Sequence, residues 1–462
     1  MQNLIVRMLS MELNGFKNVK YGKIDMPAYV SGHYTENNSE ILGIYGQNGS
    51  GKTAVIDALS FLKDMMMGLP LQVDASDYIC ISSAESILSF KFYISNPLLL
   101  VTYRFVISKA EDGGVEIKNE KVGFSRFTEN KWSKELPLID YSTQSNGSLF
   151  KPKYRCEEIL SKNKDNEVNL SVARVVAKKE MKSFIFSDEA REILGSGVSR
   201  DINWSSILFP LRFYAFTNLF IVKNSHNGII NLDFAIPFSF KHVNSGYYAM
   251  GDMVVSLNEP SVFRITEYNI FKTIIDEMNL VLNALIPGLS LEIKEHGAQL
   301  TKDSKEGMRF ELKTKRGESF IPLKYESEGI KKMLSILNII IAMYNNPSIC
   351  LAVDELDAGI FEYLLGELLN VIEESGKGQL IFTSHNLRPL EMINKSSMIF
   401  TTTNPENRYI RLTNVKSTNN LRDLYLRSIN LGGQKEPIYE STKEYEIRRA
   451  LRKAGRDINA QN

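Results

Sequence analysis

The chain reads as an α/β protein: a mixed-sheet core with an antiparallel β subdomain, a largely helical insertion and no long coiled coil. Three observations predict this. A glycine-rich loop, Gly46-Gln47-Asn48-Gly49-Ser50-Gly51-Lys52-Thr53, stands between an apolar run at 41–45 and a segment at 54–62 that is apolar at helical spacing. Two later apolar runs end in chemistry-bearing residues, 348–353 in Asp354-Glu355 and 379–383 in Ser384-His385-Asn386. Stretches at 87–94, 99–107 and 115–124 alternate β-branched or aromatic residues with polar ones, as antiparallel strands do.

The remaining elements follow in order. Alternation over 4–26 gives a strand, a tight turn and a second strand ending near Ile24. Helical pieces are expected at 157–160, 168–182 and 188–194, and 207–221 is densely aromatic. The apolar face across 263–285 is a helix stopped by Pro287-Gly288. Strands at 289–294 and 308–314 flank a charged turn, and a strongly apolar helix covers 333–344. Residues 395–410 finish the sheet, and short helices occupy 421–431 and 443–454. The expected division is 1–125 for the first part of the lobe that carries the glycine-rich loop, 126–285 for the insertion, 286–415 for the lobe's second part and 416–462 for a helical extension. No internal repeat or sustained heptad pattern occurs.

Composition narrows the function classes. The chain has 462 residues, 43% hydrophobic and 24% charged, enough for a large core. A net charge of +1 gives no overall field for nucleic acid, so any such binding needs a local patch. Cys80, Cys156 and Cys350 are widely spaced, which excludes a disulfide framework and a C-x-x-C zinc site. The N-terminal residues lack a basic stretch followed by an apolar core of signal-peptide length. The most apolar stretch is too short for a bilayer and contains Ser335 and Asn338. A cytoplasmic protein without a membrane partner is expected.

The glycine-rich loop has the full G-x-x-x-x-G-K-[ST] spacing in the strand–loop–helix setting that lets it work. Its glycines, Gly46, Gly49 and Gly51, let successive N–H groups converge, and the helix N-terminus adds a positive dipole end. Gln47, Asn48 and Ser50 complete the cradle, Lys52 is expected to reach the β- and γ-phosphates of ATP, and Thr53 to offer its hydroxyl to Mg²⁺. Asp354 closes an apolar strand where a Mg²⁺-side carboxylate belongs, and Glu355 beside it is placed to polarise an attacking water. A solvated acidic turn is the plainer alternative, and the partnership with the loop decides against it. His385 stands where an imidazole contacts the γ-phosphate or that water, the alternative being a helix cap.

A second anion-binding arrangement is Tyr325-Glu326-Ser327-Glu328-Gly329, which opens the apolar helix. Two phosphate-facing surfaces on one chain suit a head-to-tail dimer. Ser327 and Gly329 of one copy would then cover the triphosphate held by Lys52 of the other. A simple N-cap by Ser327 is the alternative reading.

Taken in order, these elements resemble an ABC-type ATPase head of the SMC/RecF/OLD branch. Leu13-Asn14-Gly15-Phe16-Lys17 resembles that branch's N-terminal strand motif, and 46–53 its Walker A loop. Ser327-Glu328-Gly329 stands in place of the signature, Asp354-Glu355 matches Walker B, Asp357 begins the D-loop, and His385 matches the switch histidine. The run from Asp354 to Glu362 is also similar to AAA/ABC-like ATPases of bacterial anti-phage and toxin-linked operons. The resemblance covers roughly 1–125 and 285–415. This chain has one glycine where signatures commonly have two, and only Gln72, without a surrounding motif, for a Q-loop. It carries no Toprim-like Glu followed by an Asp-x-Asp strand end after His385.

The resemblance implies an ATPase that uses Mg²⁺, assembles as a homodimer or higher homo-oligomer around ATP, and regulates or scaffolds a separate effector, a nuclease or toxin, in anti-phage defence. A RecF/SMC-like DNA-repair ATPase acting directly on DNA is the alternative. For it the sequence offers the basic cluster Arg448, Arg449, Arg452 and Lys453, which equally suits a solvated helix end or an acidic partner. A transporter's nucleotide-binding subunit is a third reading, disfavoured by the large insertion and the N-terminal motif.

Overall fold

Two large sheets, two smaller ones and the helices around them organise the computed structural model. It describes residues 4–459 except 36, 111–112, 145–147, 245–246 and 414–419. The first sheet is antiparallel and begins with Val6–Phe16 and Val19–Asp25, joined by a turn in which Lys17 takes a φ of 52°. Glu85–Ser95, Leu98–Lys109 and Val115–Thr128 extend it beyond Val6–Phe16. Alternating buried positions such as Leu88, Phe90 and Phe92 turn one face inward, which is what the sequence alternation requires.

The second sheet carries the glycine-rich loop and is mostly parallel. Its order runs from Tyr409–Ile410 through Met398–Thr401, Glu40–Tyr45, Gln379–Thr383 and Cys350–Val353 to Leu219–Val222. Glu40–Tyr45 and Gln379–Thr383 are buried throughout, as a parallel strand covered on both faces must be. The helix Lys52–Met67 packs one face of this sheet into a core shared with the antiparallel sheet. The helices Glu328–Asn345 and Glu362–Ser375 cover the other.

A buried polar cluster ties the two sheets together. The Arg7 guanidinium meets the Glu40 carboxylate at 2.8 Å with both side chains almost wholly buried, and Gln379 donates to the same carboxylate at 2.7 Å. Gln379 also bonds the backbone of Met8 in both directions. Removing Glu40 would strand a buried cation, a loss of about 3–5 kcal/mol.

Helices predominate between 126 and 285, ending in Ile265–Leu285, which at 21 residues is the longest helix among those described. That helix packs on the hairpin of Leu289–Leu300 and Glu306–Arg316 and on Ala235–Asn244, forming a third core. Leu219–Val222 leaves this stretch to become the edge strand beside Cys350–Val353. The strand Val115–Thr128 runs through position 125. Among the described residues no helix is long and apolar enough to cross a membrane.

Candidate active site

The sheet order places three strand ends side by side. Gln379–Thr383, which follows Cys350–Val353 in sequence, inserts between it and Glu40–Tyr45. Its last residue, Thr383, therefore stands between the glycine-rich loop and the acidic turn, and its hydroxyl donates to Asp354 Oδ1 at 2.6 Å while accepting from the Glu355 N–H at 2.7 Å.

The loop itself is held from outside. Gly46 has a φ of +153°, and a Cβ there would lie 1.7 Å from Thr401 Oγ1, so only glycine fits. The Thr401 hydroxyl also bonds the Ser50 hydroxyl, and Tyr409 donates to the Gly51 carbonyl at 2.8 Å. Asn18, in the first hairpin turn, donates to the Gly49 carbonyl. Lys52 is buried and donates to the carbonyls of Gly46 and Gln47 at 2.9 and 3.0 Å. Burial lowers its pKa, with Asp354, Glu355 and Asp357 opposing that shift.

Thr53 Oγ1 lies 3.4 Å from Asp354 Oδ1 at the base of a cavity of about 730 Å³. Lys52, Glu355 and His385 line the same space, as do Asn48, Gly49 and Gly51. A hydroxyl and a carboxylate converging beneath an ammonium are hard oxygen donors suited to Mg²⁺ on a triphosphate. Gln47 points elsewhere and accepts from the Glu440 N–H at 2.8 Å.

Glu355 is left-handed, with a φ of 50°. Two bonds fix it there: Thr383 on its N–H, and the ammonium of Lys332 on its carbonyl. Lys332 is buried in the helix Glu328–Asn345, and desolvation lowers its pKa to about 8 against the pull of Asp357, Glu355 and Asp354. The backbone N–H groups of His385 and Asn386 both donate to Asp357 Oδ2, at 3.2 and 3.0 Å, which holds the histidine's backbone at the cavity wall. The imidazole is exposed there, yet partial desolvation and then the Lys52 ammonium hold its pKa below the ordinary histidine range.

Ser327 and Gly329 lie outside this cavity. Ser327 is exposed and caps its own helix, accepting from the Ile330 N–H at 3.3 Å. Gly329 is packed on Gly359, so that a Cβ would sit 1.8 Å from the Gly359 carbonyl oxygen. Both line a separate apolar cavity with Phe361 and Tyr363. One chain thus brings Lys52, Thr53, Asp354, Glu355 and His385 together and keeps Ser327 and Gly329 apart from them.

Residues 41–203 match the family described as "AAA domain, putative AbiEii toxin, Type IV TA system". The glycine-rich loop and the helix after it lie within the matched residues. No curated protein matches it in sequence. Among solved structures, the SMC head domain from Thermotoga maritima is 14% identical with a TM-score of 0.38, covering 88% of this chain and 99% of that one. An Smc head domain derived from Pyrococcus furiosus, with an extended coiled coil and bound to the C-terminal domain of ScpA, is 16% identical at 0.40, over 88% and 96%. The recombination mediator RecF with ATP is 12% identical at 0.34, over 82% and 94%.

Around this cavity, sequence reasoning missed Lys332, Thr383 and the wall formed by Lys17, Asn18, Asp77, Cys80 and Ser82. Asn18 had a signal, its place in the hairpin turn. Lys332 had none, because a lysine one turn inside an apolar helix reads as a solvated stripe. Gln72 is exposed and does not line the cavity.

Proposed function

We propose that the chain is a Mg²⁺-dependent ATPase whose copies pair around ATP and whose nucleotide state governs a separate effector. The observation that carries this is the convergence of Lys52, Thr53, Asp354, Glu355 and His385 on one cavity, with Thr53 and Asp354 3.4 Å apart. Lys52 and the loop N–H groups bind the triphosphate, and Thr53 with Asp354 would hold the metal. Bound Mg²⁺ supplies charge neutralisation on the phosphate oxygens. Glu355 takes a proton from the attacking water, and His385 orients that water or the γ-phosphate. Ser327 and the N-terminus of its helix reach the triphosphate only in a second copy, since within one chain they face a different cavity.

The family description, with its toxin–antitoxin context, supports bacterial defence as the setting and a nuclease or toxin as the effector. The test is Glu355→Gln. Its kcat should fall about 10²–10⁴-fold, the share that proton transfer supplies, while ATP stays bound. With Mg-ATP the variant should accumulate as a dimer or larger assembly in light scattering. A variant that binds ATP and stays monomeric at every concentration refutes the pairing.

A direct role on DNA is the second reading, favoured by the exposed Arg448, Arg449, Arg452 and Lys453. It requires salt-sensitive mobility shifts that weaken when these four are neutralised.

A further inference from the structure

Gln47 belongs to the glycine-rich loop yet does not line the cavity. Its backbone carbonyl is the hub of the loop. It accepts from the Lys52 ammonium at 3.0 Å, from the Ser50 hydroxyl at 2.6 Å and from the Ser50 N–H at 3.3 Å. A shift of Gln47 therefore unseats Lys52 and Ser50 together. The Gln47 side chain is held from outside the loop, where its Oε1 accepts from the Glu440 N–H at 2.8 Å.

Residues 434–440 form a strap that is fastened at several further points. Gln434 Oε1 accepts from the Thr413 N–H at 2.9 Å and from its hydroxyl at 3.1 Å. The Glu436 carboxylate accepts from the Asn404 and Asn407 amides at 3.0 and 3.1 Å, and the Pro437 carbonyl from the Thr403 N–H at 2.8 Å. Ile438, between exposed Pro437 and Tyr439, is a buried apolar plug in the core with Phe400 and Tyr425. The turn gripped in this way, 402–408, also braces the loop. Thr401 before it bonds the Ser50 hydroxyl, Tyr409 after it donates to the Gly51 carbonyl, and Arg408 within it donates to the Asn18 carbonyl at 2.7 Å. Strap, turn and loop are one hydrogen-bonded stack within a single chain. The helix Glu444–Asn459 follows directly, its residues up to 454 exposed.

We propose that the strap is a latch on the phosphate loop, that Gln47 is the positioning residue through which it acts, and that strap docking and ATP binding are coupled. The inference rests on ATP binding at this loop and adds a control over it. Docked, the strap fixes the carbonyl on which the Lys52 ammonium sits, so part of the ordering cost of binding is met in advance. Released, it lets that carbonyl move and the ammonium lose its seat. The coupling runs both ways, because a nucleotide that orders the loop must fasten the strap by the same factor. The helix beyond the strap is thereby tied to the nucleotide state of the loop.

The test uses full-length protein and titration calorimetry with Mg-ATP. Glu440→Pro deletes the donating N–H, whereas Glu440→Ala keeps it. Gln47→Ala breaks the same bond from the loop side and leaves the strap backbone untouched. Glu440→Pro and Gln47→Ala should each weaken ATP binding about three- to tenfold, the effect of one hydrogen bond, while Glu440→Ala should match wild type. The double variant Gln47→Ala with Glu440→Pro should bind no more weakly than either single one, since both remove one interaction. Backbone hydrogen exchange over 434–443 should slow on adding Mg-ATP to wild type and stay unchanged in Gln47→Ala. Undiminished affinity in Gln47→Ala, additive losses in the double variant, equal losses in Glu440→Ala and Glu440→Pro, or strap exchange indifferent to ATP overturns the latch and leaves the ATP site standing. Wild-type protein that does not bind ATP overturns the site and the latch together.

Discussion

The turns at 46–53 and 327–329 both lead into helices and both carry glycine, yet they are finished differently. The first is braced on three sides, by Thr401, Tyr409 and Asn18, and opens onto a lysine, a threonine, two carboxylates and a histidine. The second has already used its serine oxygen to cap a helix, and its glycine is pressed against Gly359. One turn has every part of the proposed phosphate cradle within a single chain. The other presents a hydroxyl and a helix end to the outside, and its inner side grips the segment after Glu355. The difference teaches that the proposed binding is built into one copy, whereas completion of the proposed site is left to two.

The largest effect should come from breaking the complete turn. Lys52→Met removes the buried ammonium and should lower kcat/KM about 10²–10³-fold, as loss of a preorganised charge partner does. Titration calorimetry should show weakened ATP binding even in dilute protein. Near-normal affinity would mean the loop is not the phosphate site.

A smaller effect separates capping from phosphate contact at the second turn. Ser327→Asp keeps an N-cap oxygen and so keeps the helix. It also places a carboxylate where a second copy's triphosphate would lie. Like-charge juxtaposition costs several kcal/mol, so ATP-driven dimerisation and turnover should fall at least about tenfold. ATP binding by the monomer and the melting temperature should hold. If turnover also holds, Ser327 is a cap and nothing more.

Lys332 links the two regions, since it starts from the helix that Ser327 caps and ends on the carbonyl of Glu355. Lys332→Met removes a buried charge and frees a carbonyl that fixes Glu355 in its left-handed conformation. One unsatisfied buried group costs about 1–3 kcal/mol. Placed at the proposed general base, that loss should appear as roughly a tenfold fall in kcat, since about 1.4 kcal/mol corresponds to a factor of ten. ATP affinity should be unchanged and the melting temperature unchanged or raised. A merely structural lysine would instead show lowered stability with normal kcat.

Legibility in the sequence follows the same divide. The loop, the first hairpin and the helix ending before Pro287-Gly288 were readable because local chemistry dictates them: glycine spacing, alternation and a proline stop. The spatial order of strands was not, because nothing in 379–383 says that this strand inserts ahead of its sequence predecessor. Leu219–Val222 merged into an aromatic run, because a four-residue strand directly after a helix leaves no turn signal. Lys332 and Thr383 owe their place to that insertion and to helix docking, which are long-range events. The residues proposed to touch phosphate were legible, and those that hold them in place were not.

The smallest predicted effect tests whether Lys52 and His385 belong to one site. The native His385 pKa lies below the ordinary value of about 6.5, through desolvation first and the Lys52 ammonium second. As pH falls through about 6.5, the unfolded chain binds a proton that native His385 still refuses, so native stability declines with acidification. Wild-type protein should therefore lose stability more steeply below that pH than His385→Gln does. In Lys52→Met the second cause is gone, and the His385 titration followed by NMR should move up toward the ordinary range. Bound triphosphate, bringing negative charge to the same cavity, should move it in the same direction. A titration indifferent to both changes would place the imidazole outside the field of the lysine, and the geometry of a single catalytic cavity would then have to be abandoned.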